Sequence, residues 1–327
     1  MKAKLRYECT SDYGRYREDI LEFWKRIYGK DHSKFYDSFY TRNPAGEPLL
    51  GLCFDGEKLV GQENYIRQEI GSGGRRFRAA MGVNTLVDPD YRVFHGVFAK
   101  LCRLTIEALK PQIDVLFAFA NEESKSYYLK YFQWKVATKI RVYKKATKYS
   151  GLKLESVLSL VKPGRRQKDL ALEEVFVFDP EVLDPFLERY LGGARDAYFY
   201  KTTAFLNWKF LSNRHYKVRG YYIKYRDRIS GYCATYDDGF ERKVADILIE
   251  NNDITIYEQT LSQLSHCAGL EGKRRLVFYA TPDCWYEKTL RKHCFIRRWD
   301  FDFITRTYDT VLPGPQWVIH VGDFDMF

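Results

Sequence analysis

The sequence predicts an α/β (α+β) chain of two tandem domains, each a mixed, mostly antiparallel twisted sheet flanked by helices. Three observations lead there. Residues 83–134 read strand, loop, helix, strand, helix. Turn signals before that stretch cut the chain into short antiparallel strands. A weak internal repeat then carries the same order into the second half.

The elements follow in order. Tyr16, Ile20, Phe23, Trp24 and Ile27 recur at helical spacing, which predicts a helix over 12–28 with Ser11 or Asp12 as its cap. The segment 33–43 is aromatic (Phe35, Tyr36, Phe39, Tyr40) and ends at the turn Asn43-Pro44-Ala45-Gly46. LLGLCF and KLVGQENYI flank Asp55-Gly56, the signal of a β-hairpin. Gly71-Ser72-Gly73-Gly74 is a second tight turn, leading into FRAAMGVNTLV. That strand stops at Asp88-Pro89-Asp90-Tyr91-Arg92. A helix then opens near Gly96 and runs to about Leu109, followed by the buried strand DVLFAFA, the helix SKSYYLKYF and the strand VATKIRVYKKA. Residues 146–170 are polar and contain Pro163-Gly164. They predict domains at 1–150 and 175–327, with a linker or crossover at 151–174.

The repeat pairs Phe35, Tyr40, Asn43, Leu59 and Gly61 at one constant spacing with Phe205, Phe210, Asn213, Ile229 and Gly231. Further on, LFAFAN matches VFYATPD and YLKYFQW matches LRKHCFI at a shorter spacing. The second half has therefore lost residues where the first carries its 88–96 loop. VADILIENNDITIYEQTLSQL passes there from strand to helix without a glycine. A loop at a helix start suits a phosphate, because unpaired N–H groups and the helix dipole both face it. On this reading only the first half grips one there.

Composition narrows the classes. The chain has 327 residues with 45% hydrophobic and 17% aromatic content, enough for two cores and against disorder. It has no apolar run of about 18 residues, so no membrane span is expected. The start Met1-Lys2-Ala3-Lys4-Leu5-Arg6 lacks the apolar segment of a signal peptide, so a cytoplasmic protein is expected. Seven cysteines without a C-x-x-C pattern fit a reducing compartment. His293 and Cys294 near Cys284 have no second ligand pair at zinc spacing, so no metal is expected. The formal charge of +10 favours anionic partners: nucleic acid, acidic lipid or a phosphorylated cofactor. The basic clusters at 75–78, 165–168 and 273–275 are short and lie near turns, as solvated surface does. No long basic helix or aromatic-basic repeat points to nucleic acid. The oligomeric state is not legible.

Taken together, RNPAGEPLLGLCFDGEKLVGQ, VNTLVDPDYR, GVFAKL, FANEESKSYYLKYFQW and, in the second half, FLNWKFLSNRHYKVRGYYI resemble the GNAT acyltransferase family. The likeness is to its bacterial tandem-domain members linked to polysaccharide or cell-surface biosynthesis, and it spans residues 15–145 and 175–310. It implies transfer of an acyl group from acetyl-CoA or another acyl-CoA to a small-molecule amine, such as an amino sugar. By this resemblance the backbone of Asn84, Thr85, Leu86 and Val87 bonds the pantetheine arm. The loop Arg92 to Phe98, with His95, Gly96 and Val97, takes the pyrophosphate. Asn121 and the helix after it lie beside the thioester. Tyr128, seven residues after Asn121, protonates the leaving thiolate, with Tyr127 as its rival. Glu63 is the candidate general base, with Glu69 and His95 as alternatives. The chain departs from the family in its loop, where the pattern Arg/Gln-x-x-Gly-x-Gly/Ala is replaced by Arg92-Val93-Phe94-His95-Gly96-Val97-Phe98, and at Gln133, where the family has a glycine. Two other readings remain open: an aminoacyl-tRNA-dependent transferase of the related tandem fold, and a non-catalytic binding or scaffold protein.

Overall fold

The computed structural model describes residues 5–92, 96–147, 168–213, 215–308, 312 and 316–324. The expected linker falls largely outside them, as does His95. The chain forms two compact units. One holds Met1–Ile70, Arg76–Ala137 and Phe303–Val311; the other holds Gly71–Arg75, Thr138–Asp302 and Leu312–Phe327.

The first unit opens with β1 (Leu5–Thr10), α1 (Arg17–Tyr28) and α2 (Ser33–Tyr40). β1 is a strand that the sequence reading did not identify. Its residues are half-buried or exposed, so no apolar alternation marks it. α1 starts later than expected. Its N-cap is Tyr16, with no side-chain cap bond, and Asp12 instead accepts from the Arg15 amide at 3.1 Å in the preceding turn. Ser11 and Asp12 are therefore not its caps. Ile20, Phe23 and Trp24 are buried. The Trp24 ring lies 5.9, 5.7 and 6.1 Å from those of Phe35, Tyr36 and Tyr40 in α2, which is how the aromatic segment finds its core.

β2 (Leu49–Asp55), β3 (Lys58–Ser72) and β4 (Arg75–Val87) follow, joined by the two anticipated turns. β1 pairs antiparallel with β2, and β2 with β3. After the loop come α3 (Val97–Leu109), β5 (Val115–Ala118) and α4 (Glu122–Tyr131). β4 and β5 run parallel, and their pairing covers only Ala79–Met81 against Val115–Phe117. The other edge of β5 is taken by residues from far along the chain: Ile304–Thr307 pair antiparallel with it. A Cβ on Gly61 would sit 2.6 Å from Cγ1 of Val97, so this glycine lets the start of α3 press directly onto β3.

The second unit contains the later part of β6 (Lys135–Ala146), then β7 (Leu170–Val175), α5 (Pro180–Gly193) and β8 (Ala197–Tyr200). A short helix α6 (Thr203–Leu206) runs into a wide turn. β9 (Val218–Tyr225), β10 (Arg228–Asp238) and β11 (Glu241–Ile249) form an antiparallel meander, with β7 on the far side of β9. α7 (Ile254–Leu270), β12 (Arg275–Ala280), α8 (Glu287–Lys292), the earlier part of β13 (Ile296–Thr307) and β14 (Trp317–Val318) complete it. From α6 to α8 the order is helix, hairpin, strand, helix, strand, helix, as from α2 to α4. Even the parallel contact is equally short, with Glu241–Lys243 against Arg275–Val277. Gly231, matched to Gly61, is again a close approach: a Cβ there would lie 2.2 Å from the Leu248 carbonyl oxygen. Between β11 and α7 the chain makes a turn at Glu250–Asn252 in place of a glycine loop, with Asn251 and Asn252 at φ 56° and 53°.

Glu287, buried at the start of α8, accepts from Arg141 at 2.6 Å, from Arg291 at 2.9 Å, from the Asp283 amide at 2.9 Å and from the Tyr143 hydroxyl. Burial pushes its carboxyl up, but these bonds together outweigh that and hold it at about 2, below its ordinary 4.5. A depressed carboxyl stabilises the fold above its unfolded value and loses that effect as pH falls through its folded one. Glu287→Gln is therefore expected to lower stability at pH 7 and to flatten the dependence of stability on pH between about 4.5 and 2. Urea unfolding at a series of pH values reads both, and an unchanged slope in the variant would refute this.

Candidate active site

The site is built on the middle of β3. Gln62, Glu63 and Asn64 follow one another there, and all three are buried. Successive strand residues face opposite sides of the sheet, so these three divide between two networks.

Glu63 faces α3 and α4. Its Oε1 accepts from the Tyr65 hydroxyl at 2.7 Å and from the Tyr128 hydroxyl at 3.1 Å. The Tyr128 hydroxyl also lies 3.2 Å from Oγ1 of Thr85 on β4. Glu63 Oε2 is buried without a hydrogen-bond partner. Burial pushes the Glu63 carboxyl up, opposed by bonds from Cys102, Tyr65, Tyr128 and Thr105. It pushes the Tyr128 phenol well above 10, helped by the nearby Glu63. Both groups thus favour their neutral, proton-bearing forms.

Gln62 and Asn64 face the other side, and here β4 departs from a regular strand. Asn84 sits at φ 50°, a left-handed conformation in the middle of a strand. Its carbonyl accepts from Gln62 Nε2 at 2.8 Å, and its Oδ1 accepts from the Tyr40 hydroxyl at 2.7 Å. Tyr40 in turn accepts from Asn64 Nδ2 at 3.1 Å. The kink is thus held by three side chains. Gln62 Oε1 and Asn64 Oδ1 remain buried with no donor. Beyond the last β4–β5 pair, Gly82, Asn84, Thr85 and Leu86 are half-buried, as are Phe119 and Ala120 just past β5. The kink thus lies beyond the last pair with β5, and Thr85 next to it is the β4 residue that reaches Tyr128.

The loop beyond β4 is tied back at its start, because Arg92 Nε donates to the Val87 carbonyl at 3.0 Å. Gly96 is the N-cap of α3 at φ 57°, with nothing within 4 Å of where a Cβ would stand. As in any helix, the first amides of α3 lack acceptors of their own. The Val97 side chain is buried against Cys53, Val60 and Leu101. Phe98, where the family has a small residue, turns toward α4, its ring 5.7, 5.6 and 6.2 Å from those of Tyr127, Tyr128 and Phe132. Asn121 caps α4, its Oδ1 accepting from the Ser124 amide at 2.8 Å.

The structure therefore brings Glu63, Tyr128 and Thr85 together. Tyr127 is 48% exposed and outside this network, and Glu69 is half-buried without a bond to it. The sequence reading did not single out Gln62, Asn64, Tyr40, Tyr65 or Cys102. One signal was available: three consecutive polar residues in a strand whose flanks are apolar. Among the described residues no group of three His, Cys, Asp or Glu side chains is placed to hold a metal, and no helix is long and apolar enough to cross a membrane.

Comparison with known proteins bears on this geometry. Residues 15–137 match the model of an acetyltransferase (GNAT) domain. No curated protein sequence matches the chain. Among solved structures, an N-acetyltransferase from Anabaena variabilis superposes with a TM-score of 0.67 at 13% identity, covering 92% of this chain and 73% of that one. A probable N-acyltransferase from Enterococcus faecalis gives 0.67 at 10% identity, covering 93% and 73%. N-myristoyltransferase of Saccharomyces cerevisiae, solved with bound myristoyl-CoA, gives 0.64 at 11% identity, covering 99% and 86%. At such identities these structures speak for the fold alone: two GNAT-like domains in tandem. The match to an acetyltransferase (GNAT) domain extends over the kinked strand, the loop and the Glu63–Tyr128 pair.

Proposed function

We propose that this protein moves an acyl group from an acyl-CoA to a small-molecule amine, with Tyr128 as the proton donor to the leaving thiolate. The observation that carries this is the Glu63–Tyr128–Thr85 chain beside the kinked, half-buried section of β4. On this reading the backbone of Asn84 to Val87 bonds the pantetheine arm, and the amides from Gly96 to Phe98 receive the pyrophosphate. Arg92 adds positive charge to that loop, His95 is a further phosphate contact, and Asn121 holds the start of α4 beside the thioester.

In the reaction the amine nitrogen attacks the thioester carbonyl, the C–N bond forms and the C–S bond breaks. Tyr128 passes its proton to sulfur, and the proton lost by the amine goes to water. Glu63 positions the phenol. That role replaces the general base for which the sequence first offered Glu63. An amino sugar is the acceptor that the family resemblance favours.

Calorimetric titration with acetyl-CoA tests the reading. Saturable binding is expected, and absence of heat at millimolar acetyl-CoA and at millimolar longer-chain acyl-CoA would leave the non-catalytic alternative standing. Gly96→Trp is expected to weaken that binding at least tenfold. Its structural cost is roughly 1–2 kcal/mol, that of a side chain at left-handed φ, since the space around Gly96 is open. Unchanged affinity in this variant would mean that the loop is not the phosphate site.

A further inference from the structure

The second unit buries two hydrogen-bond donors that the proposed chemistry does not use. The first is His320, which caps the short turn Val321–Asp323. Its side chain accepts from the Asp323 amide, and the His320 amide donates to Asp323 Oδ2 at 2.7 Å. Nε2 has no hydrogen-bond partner, so Nδ1 is the acceptor and Nε2 carries the proton. Burial pushes the imidazole down, which keeps it in this neutral form. His320 is only 4% exposed, and Asp246 Oδ1 stands 3.8 Å from Nε2, too far for a hydrogen bond. An N–H buried without an acceptor is costly.

Lys201, just after β8, is the second donor. Its ammonium lies 2.8 Å from Asp246 Oδ2 and 2.8 Å from Asp323 Oδ1, and all three side chains are buried. Asp246 also accepts from the Tyr232 hydroxyl at 2.8 Å and from the Ile247 amide at 3.0 Å. An ammonium has three hydrogens, and the third finds no acceptor among the described residues.

His320 and Lys201 both line a cavity of about 70 Å³. It has room for roughly five water molecules, or for a ligand of about as many heavy atoms. Leu248, Phe199 and Trp285 supply apolar wall, and the half-buried Asp196 supplies an acceptor. At Tyr190, Ala194 and Asn252 the cavity shares its lining with a groove of about 420 Å³, which Arg189 and Glu250 also line.

These groups select among ligands. An apolar molecule would leave both donors unsatisfied. A cation would meet the Lys201 ammonium and the His320 N–H. An anion would gain little from Lys201, because two carboxylates outside the cavity already hold it and leave that group a formal charge of −1. Lys201 therefore offers the cavity an N–H rather than a free charge. An uncharged molecule with a carbonyl oxygen satisfies the donors, and an N–H beside that carbonyl suits Asp196.

We propose that this cavity binds the N-acyl end of a small secondary amide, whose carbonyl oxygen accepts from His320 Nε2 and Lys201, whose N–H donates to Asp196 and whose N-substituent leads into the groove. The site lies wholly within the second unit and does not depend on the acyl-transfer reading.

The test uses the full chain and N-methylacetamide as probe, against methyl acetate, which keeps the shape and the carbonyl but has no N–H, and against sodium acetate and ethylammonium chloride. N-Methylacetamide is expected to bind saturably and to move the ¹H and ¹⁵N resonances of the His320 Nε2–H group. Methyl acetate should bind about tenfold more weakly. His320→Phe, which keeps a ring but removes the N–H, should weaken N-methylacetamide by about tenfold. Asp196→Ala lies outside the buried cluster and serves if the first variant does not fold; it should abolish the preference for amide over ester. Acetate or ethylammonium binding as tightly as N-methylacetamide would overturn the proposal, as would equal binding of methyl acetate. So would an unmoved His320 resonance, or an amide preference that survives Asp196→Ala.

Discussion

Tyr128→Phe is expected to lower the acyl-transfer rate by about 10²–10⁴, the usual contribution of a positioned proton donor. The loss should fall on kcat, with the KM for acyl-CoA little changed, because the phenol proton matters only as the C–S bond breaks. Part of the cost is structural, since Glu63 Oε1 keeps only its bond from Tyr65 at 2.7 Å. That should amount to about 1–3 kcal/mol of stability. Glu63→Gln separates the possible roles. An amide is neutral and near the shape of a protonated carboxyl, so a positioning Glu63 predicts a loss of no more than about tenfold. A general base at that position predicts a loss as large as that of Tyr128→Phe. Steady-state kinetics on both variants decide between them, and an unchanged rate in Tyr128→Phe removes Tyr128 from the chemistry.

Lys201→Met is expected to have the largest effect on stability of any single change in the second unit, about 3–5 kcal/mol at pH 7. Methionine fills a similar volume but leaves Asp246 and Asp323 buried without a cation. With Lys201 present, Asp246 is held below its ordinary 3.8 despite burial, mainly by the Lys201 charge. Without it, burial alone pushes the carboxyl up. The sign of its pH dependence then reverses: an elevated carboxyl destabilises the fold at pH values above its unfolded pKa, and the penalty fades as pH falls. The variant should therefore approach the parent protein in stability on acidification. Chemical denaturation at pH 7 and pH 5 measures both effects, and a loss below 1 kcal/mol at pH 7 would show that the cluster is not held by Lys201.

Local patterns in the sequence anticipated much of this. The Asp55-Gly56 and Gly73-Gly74 turns, the helical spacing of Ile20, Phe23 and Trp24, and the strand–loop–helix order from β4 to α4 are written in residues close together in the chain. The shared order of the two halves was legible too, because Gly61 and Gly231 are each dictated by a close approach in the same hairpin position. What stayed hidden is what depends on distant partners. Glu63 and Tyr128 are 65 residues apart and meet only because α4 folds over β3. The kink at Asn84 has no glycine to mark it, since Gln62 and Tyr40 hold it from outside the strand. The Lys201 cluster joins a strand end to Asp246 and to residues near the end of the chain, and no spacing in the sequence connects them. β1 was missed for a different reason, as an edge strand with charged residues on its open face.

The pairing of Ile304–Thr307 with β5 has a consequence for how the molecule is made. During synthesis the stretch up to Ala137 emerges with one side of β5 uncovered, while Phe303–Val311 belongs to the same unit but is still untranslated. At ordinary elongation rates that gap lasts roughly 10–30 s. Through that interval the nascent first unit exposes an unpaired parallel-sheet edge, the kind of surface that invites association between chains. An N-terminal fragment ending before β13 carries that exposed edge permanently and should aggregate where the full chain does not.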